Sequence, residues 1–197
     1  MIVAIFSGGE FIKTQILPYD KLICADKGYV YAQKLGLNPD YILGDFDSLG
    51  YIPKNSKVYP ADKDYSDTQL AIIKAKEIGA TKIDLYFCLG GRIDHQLFNI
   101  NLLKFAKNLG IDATIYNGVE FIKLIDGACY YAVKNGSFIS LVPFSTNAHI
   151  IKSEGLKYPL DGIEVVIGET LTLSNVALDS KIYIEIESGE LLLVGNL

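Results

Sequence analysis

"KIDLYFCLGGRIDHQLFNINLLKFAKNLG", residues Lys82 to Gly110, carries the outline of a fold in one run. Its first part is an apolar strand without in–out alternation. From His95 onward apolar residues recur at helical spacing, and the pattern stops at Gly110. Between the two stand Gly90 and Gly91, which let a backbone turn and come close to a ligand. A strand apolar on both faces followed at once by a helix is the unit of a parallel sheet covered by helices.

Working outward, the same alternation recurs. "IVAIF" ends at Ser7-Gly8-Gly9, "KLICA" at Asp26 and "YILG" at Asp45, while "IDATIYN" follows Gly110 as a further strand. "YVYAQKLGL" and "LAIIKAKEIGA" read as helices, the second closed by Gly79. In such sheets ligands bind beyond the carboxyl ends of the strands. Gly8-Gly9, Asp26, Asp45 with Asp47, and Gly90-Gly91-Arg92 are therefore expected on one edge. From about Val119 the texture changes to short strands with turn signals at Asn135-Gly136 and Ser188-Gly189, and "YIEIESGELLLV" reads as a hairpin. An α/β unit over 1–125 and an antiparallel all-β unit over 126–197 are expected.

The chain has 197 residues, half of them apolar, and a formal net charge of −5. That composition builds a sizeable core and excludes disorder. A mildly acidic chain without a basic cluster gives no electrostatic reason to bind nucleic acid. Cys24, Cys88 and Cys129 are far apart in apolar company, so they read as buried free thiols in a reducing cytoplasm. "MIVAIFSGGE" lacks a basic leader and its apolar run is too short to span a membrane. It reads as a core strand.

Three stretches carry candidate chemistry. In "GDFDS", Asp45 and Asp47 flank Phe46 at a strand end. Either this is a solvated turn, or the carboxylates hold a hard cation such as Mg²⁺, which prefers one or two carboxylates with water and phosphate. In "DKDYSDTQLA", Ser66 and Gln69 fit a capping box and Asp67 suits the helix dipole. Capping leaves Asp62 and Asp64 unexplained, and their crowding points to a nearby cation. In "LGGRIDHQLFNI", Arg92 could clamp phosphate oxygens with its planar fork. Asp94 is either a helix N-cap or a site residue, and His95 either a phosphate contact or a half-buried histidine. With His149 the only other histidine, a two-His metal site and a Ser-His-Asp triad lack support. No P-loop and no dinucleotide fingerprint follows the first strand.

Taken in order, "ADKG", "GDFDS", "DKDYSDTQLA", "GGRIDHQLFNI", "LKYPL" and "LSN" resemble the thiamine pyrophosphokinase family over nearly the whole chain. The resemblance implies a Rossmann-like nucleotide-binding domain, a β-sandwich-like thiamine-binding and dimerisation domain, and a homodimer; charge and hydropathy add the expectation of no nucleic-acid and no membrane partner. It implies transfer of diphosphate from ATP to thiamine with Mg²⁺, leaving AMP. By position, Asp45, Asp47 and Asp67 match the catalytic and metal-handling carboxylates. Asp26, Gly90, Gly91, Arg92, Asp94 and His95 fall on the ATP and phosphate side. Ser66, Ser174 and Asn175 fall on the substrate side. Lys27 stands where the family usually has a first Gly before Gly28, and Ser66 and Gln69 replace a Thr and a Glu. The chain has no Trp, so aromatic stacking on thiamine would come from Tyr or Phe. Two rival enzyme readings remain from the residues alone: a pyrophosphokinase acting on another hydroxymethyl heterocycle such as a pterin, and a Mg²⁺-dependent phosphohydrolase.

Overall fold

The computed structural model describes residues 1–197. The chain divides into two compact units, Met1–Gly118 and Val119–Leu197.

The first unit contains β1 (Ile2–Phe6), β2 (Lys21–Ala25), α1 (Gly28–Lys34), β3 (Tyr41–Gly44), β4 (Lys57–Val58), α2 (Asp67–Glu77), β5 (Lys82–Tyr86), α3 (Ile93–Asn108) and β6 (Asp112–Tyr116). Its strands lie in the order β6-β5-β1-β2-β3-β4, and every pairing is parallel. The apolar runs read from the sequence are the buried central strands: Val3–Phe6, Leu22–Ala25 and Ile83–Tyr86 are closed to solvent. A strand covered on both faces has no polar side to show, which is why these runs do not alternate. The short edge strand β4 had no sequence signal, because both its residues are exposed.

Three of the strands end alike. Asp26 after β2, Phe46 just beyond β3 and Phe87 after β5 all have positive φ, at 47°, 60° and 56°. A left-handed conformation is costly for residues with a Cβ and persists only where the surroundings enforce it. At two of these positions a buried aromatic side chain supplies the enforcement. Phe87 packs on Phe6, Phe11 and Tyr31, with ring centroids 5.0, 5.3 and 5.2 Å apart. Gly28 is required for a different reason: a Cβ there would meet the Phe6 carbonyl oxygen at 2.1 Å, so only glycine lets α1 start against the end of β1.

The second unit contains β7 (Glu120–Ile125), β8 (Ala128–Ala132), β9 (Phe138–Pro143), β10 (Ala148–Glu154), β11 (Ile163–Val165), β12 (Asn175–Val176), β13 (Lys181–Ser188) and β14 (Leu191–Asn196). They form two antiparallel sheets, β12-β9-β14-β7 and β11-β10-β13-β8. Inward residues of both, such as Ile139, Leu141, Leu191 and Leu193 against Ile150, Ile182 and Ile184, share one core. β7 pairs residue by residue with β14, so it belongs here and the break lies ahead of the position expected at 125/126.

The expected hairpin "YIEIESGELLLV" is not one. β13 pairs with β10 and β8, whereas β14 pairs with β7 and β9. The Ser188-Gly189 turn carries the chain from one sheet to the other. Asn135-Gly136 does the same between β8 and β9. A turn residue reports a reversal of the chain, not whether the strands it joins will pair. "LTLSN" is also mostly turn rather than strand, since only Asn175 enters β12. No helix is long and apolar enough to cross a membrane.

Candidate active site

A cleft of about 800 Å³ lies at the carboxyl ends of the strands of the first unit. Gly8 and Gly9 after β1, Asp26 after β2, Asp45 after β3, and Gly90, Gly91 and Arg92 beyond β5 all line it, as the strand-end rule requires. Ser66, Asp67 and Thr68 bring the start of α2 to the same space, and His95 and Asn99 bring α3.

Two glycines shape one wall. Gly90 and Gly91 have φ of 83° and 73°, and a Cβ on Gly90 would lie 2.3 Å from Glu10 Cβ. The loop after β1 is tied down beside them: Gly9 N–H donates to Phe87 O at 2.7 Å and Glu10 N–H to Leu89 O at 2.8 Å. Tyr31 holds the loop from below, its hydroxyl donating to Gly9 O at 2.6 Å.

Asp26, Asp45 and Asp47 each offer a carboxylate oxygen within 4.8 Å of the others. Phe46 explains how neighbours so alike in charge come together. Its buried ring and left-handed backbone anchor the turn, leaving Asp45 half-buried and Asp47 exposed. The Asp26 carboxylate accepts from Ser48 Oγ through Oδ2 at 2.7 Å, while its Oδ1 is buried without a hydrogen-bond partner. A buried unpartnered carboxylate oxygen beside two further carboxylates fits a hard divalent cation. Asp67 is not among the three whose oxygens meet within 4.8 Å, but it is joined to Asp45 through Lys63.

Asp67 opens α2, whose N-cap is Ser66: its Oγ accepts from Gln69 N–H at 3.3 Å, as the capping pattern anticipates. Burial pushes the Asp67 carboxyl up to about 6. Lys63 opposes that shift, while the charges of Asp45 and Asp26 add to it. Lys63 itself, which the sequence reading passed over, is only 13% exposed and its Nζ lies 2.6 Å from Asp45 Oδ2 and 3.3 Å from Asp67 Oδ1. It holds Asp45 below the usual carboxylate range. Burial works against the lysine's charge, yet the two carboxylates outweigh it and its pKa is raised. The signal was present as a single base within the acidic run Asp62–Asp67. Asn99 also escaped notice; its amide donates to Cys88 O at 2.6 Å and ties α3 to the end of β5.

The N-cap alternative for Asp94 does not hold. Arg92, not Asp94, occupies the N-cap of α3, with no side-chain cap bond. The Arg92 fork grips Asp94 through Nε–Oδ1 at 3.1 Å and Nη2–Oδ2 at 2.5 Å, with Arg92 72% exposed. His95 is exposed rather than half-buried. Of the cysteines, Cys24 and Cys88 are buried, but Cys129 is exposed on β8.

Ser174 and Asn175 lie in the second unit. Ser174 has φ 59°, and its N–H donates to Ser140 Oγ at 3.0 Å. Asn175 is 4% exposed, and its amide bonds to backbone. Oδ1 accepts from Tyr158 N–H at 3.0 Å and Val176 N–H at 2.8 Å, and Nδ2 donates to Tyr158 O at 2.7 Å. It latches the "LKYPL" stretch beside a cavity of about 380 Å³ lined by Tyr158, Leu160, Leu171 and Leu173. Replacing it leaves buried backbone groups unpaired. Asn175→Ala is expected to lower stability by about 1–3 kcal/mol, read as a lower denaturant midpoint at unchanged slope.

Comparison with known proteins bears on the whole chain. Residues 14–115 match "Thiamin pyrophosphokinase, catalytic domain", and residues 130–191 match "Thiamin pyrophosphokinase, vitamin B1 binding domain". The chain is 31% identical over 182 residues to thiamine pyrophosphokinase of Bacillus subtilis, covering 87% of this chain and 85% of that protein. A crystal structure of thiamine pyrophosphokinase from the same organism superposes with a TM-score of 0.89 at 28% identity, over 100% of this chain and 99% of that one. Thiamin pyrophosphokinase from Geobacillus thermodenitrificans gives 0.84 at 26% identity, over 100% and 98%. With both domain descriptions matched in order and the cleft residues at their expected strand ends, the chain belongs to the thiamin pyrophosphokinase family.

Proposed function

We propose that this protein transfers a diphosphate group from ATP to the hydroxyl of thiamine, giving thiamine diphosphate and AMP, with Mg²⁺ as its cation. The observation that carries the site assignment is the trio Asp26, Asp45 and Asp47 with its buried, unpartnered Asp26 oxygen, set in the strand-end cleft of a chain of this family. The thiamine hydroxyl oxygen bonds to the β-phosphorus. The bond from that phosphorus to the oxygen bridging it to the α-phosphorus breaks, and AMP leaves with the bridging oxygen. The hydroxyl proton passes to Asp67, whose carboxyl near 6 suits a base at neutral pH. Asp26, Asp45 and Asp47 would hold the divalent cation, which would supply neutralisation of phosphate charge.

The chain's own groups do the rest. The start of α2 and the Gly90-Gly91 backbone offer N–H groups to phosphate oxygens. Arg92 releases Asp94 to receive the nucleotide in its fork, with His95 and Asp94 flanking. Positioning and charge neutralisation are what this class of transfer asks of a protein. The parallel sheet with its cleft at the strand ends supports describing the first unit as Rossmann-like. The exposed Tyr158, Leu171 and Leu173 around the second-unit cavity support giving Ser174 and its surroundings to thiamine and to a homodimer contact. The free cysteines fit a cytoplasmic enzyme.

The deciding assay supplies Mg-ATP and thiamine and follows both products. AMP and thiamine diphosphate should accumulate in equal amounts. Release of ADP, or of phosphate without thiamine diphosphate, overturns the reading. Arg92→Lys keeps the charge and loses the fork, so KM for ATP should rise about 10-fold. An unchanged KM would make Arg92 a surface partner of Asp94 and nothing more.

A further inference from the structure

We propose that Lys63 is an internal counter-cation of the cleft, which must leave Asp45 before a divalent cation can be held there, and which then takes a phosphate group of the nucleotide as its new partner. The proposal rests on the diphosphate-transfer reading and adds to it an order and a coupling between the two ligands.

The starting point is a conflict of occupancy. Asp45 belongs to the carboxylate trio, and its Oδ2 is already engaged by Lys63 Nζ at 2.6 Å. Its Oδ1 faces the N–H of Asp47 at 3.3 Å. An ammonium and a divalent cation on one carboxylate repel each other strongly at such separations. The ion pair is only 13% and 16% exposed, so water and salt screen that repulsion poorly. Lys63 also reaches Asp67 at 3.3 Å, so it spans two carboxylates of the cleft rather than resting on the surface.

The lysine has somewhere to go. It sits on the turn ahead of α2, on a flexible four-carbon stem, and it lines the same cleft as Gly90, Gly91 and Arg92. Asp26, Asp45 and Asp47 crowd one space, and Lys63 joins Asp45 of that group to Asp67 beside it. When nucleotide and cation enter together, the divalent charge replaces the ammonium at Asp45 and the phosphates offer the ammonium a negative partner. Each ligand then favours the other, a coupling that is reciprocal by thermodynamic necessity. Cation alone must displace Lys63 without compensation, so it binds weakly. A rigid structural salt bridge, the simpler reading of the same contacts, predicts no such coupling.

The test uses Mn²⁺ as the probe, titrated by electron paramagnetic resonance into the intact protein with and without α,β-methylene-ATP, whose scissile position is blocked. Lys63→Met keeps the stem and removes the charge. Mn²⁺ alone should bind the variant about 10-fold more tightly than wild type, and the tightening of Mn²⁺ by the nucleotide analogue should shrink by a similar factor. Lys63→Gln, with its melting curve, should show the same pattern and separates loss of the ammonium from loss of fold. Mn²⁺ binding that is equal or weaker in both folded variants, or an undiminished effect of the analogue, overturns the proposal while leaving the transfer reading in place. Failure of wild type and variants to bind Mn²⁺ under either condition removes the transfer reading and this proposal with it.

Discussion

Asp45→Asn slows formation of AMP from ATP and thiamine by about 10²-fold or more, an effect of the size that follows loss of one preorganised charge at a phosphoryl-type centre. The substitution keeps the shape and removes one of three carboxylates whose oxygens lie within 4.8 Å of each other. It also releases Lys63, which then has only Asp67 at 3.3 Å. Stability should respond in the opposite sense from a simple relief of crowding. The Lys63 ammonium holds the Asp45 carboxyl below its ordinary value, so the ionised form favours the fold. That contribution is present above the unfolded carboxylate pKa and is lost as pH falls through the depressed one. At neutral pH the variant should therefore be less stable than wild type, by about 1–3 kcal/mol, the size of losing a charged hydrogen-bond partner in a poorly screened site. Turnover within a few-fold of wild type at millimolar Mg²⁺ would remove Asp45 from the machinery.

The second large effect belongs to Asp67→Asn. Loss of a positioned base costs about 10²- to 10⁴-fold in rate, and the acid limb of the wild-type pH profile, with an apparent pKa near 6, should vanish from whatever activity remains. The same substitution should stabilise the protein. Burial raises the folded-state pKa from an ordinary 3.8 to about 6, so between those values the folded state holds more protons than the unfolded one. Stability then falls as pH rises across that window, and the deficit persists above it. Asn carries no charge to bury. Denaturation at pH 7.5 should show the variant more stable by about 1–2 kcal/mol, with the advantage shrinking towards pH 4. A variant less stable than wild type at pH 7.5 would mean that the Lys63 contact, not burial, governs Asp67.

Much of the first unit was legible because its physics is local. A strand buried on both faces must be apolar throughout, and a turn that admits a ligand must be glycine-rich, so "IVAIF", "KLICA", "KIDLY" and Gly90-Gly91 announce themselves. The convergence of Asp26, Asp45 and Arg92 followed from one topological rule. What stayed hidden depended on partners distant in sequence. β13 and β14 alternate as a hairpin would, and only the shared core assigns them to opposite sheets. Nothing in the sequence around Asn175 showed that its amide closes on the backbone of Tyr158. Lys63 was invisible as a site residue because a lysine among aspartates usually marks a solvated surface. Phe46 gave no hint that it would be the buried anchor between two site carboxylates.

The left-handed residue at the end of β2 also bears on how such a chain changes over generations. Asp26 holds a backbone conformation that asparagine adopts about as readily and that glycine adopts at lower cost, by about 1 kcal/mol. Selection for heat endurance alone would accept either replacement there, and selection for turnover would reject both. Laboratory evolution under the first pressure should lose Asp26 early, and restoring the second pressure should bring it back. Position 26 would thus record which demand a lineage has most recently had to meet.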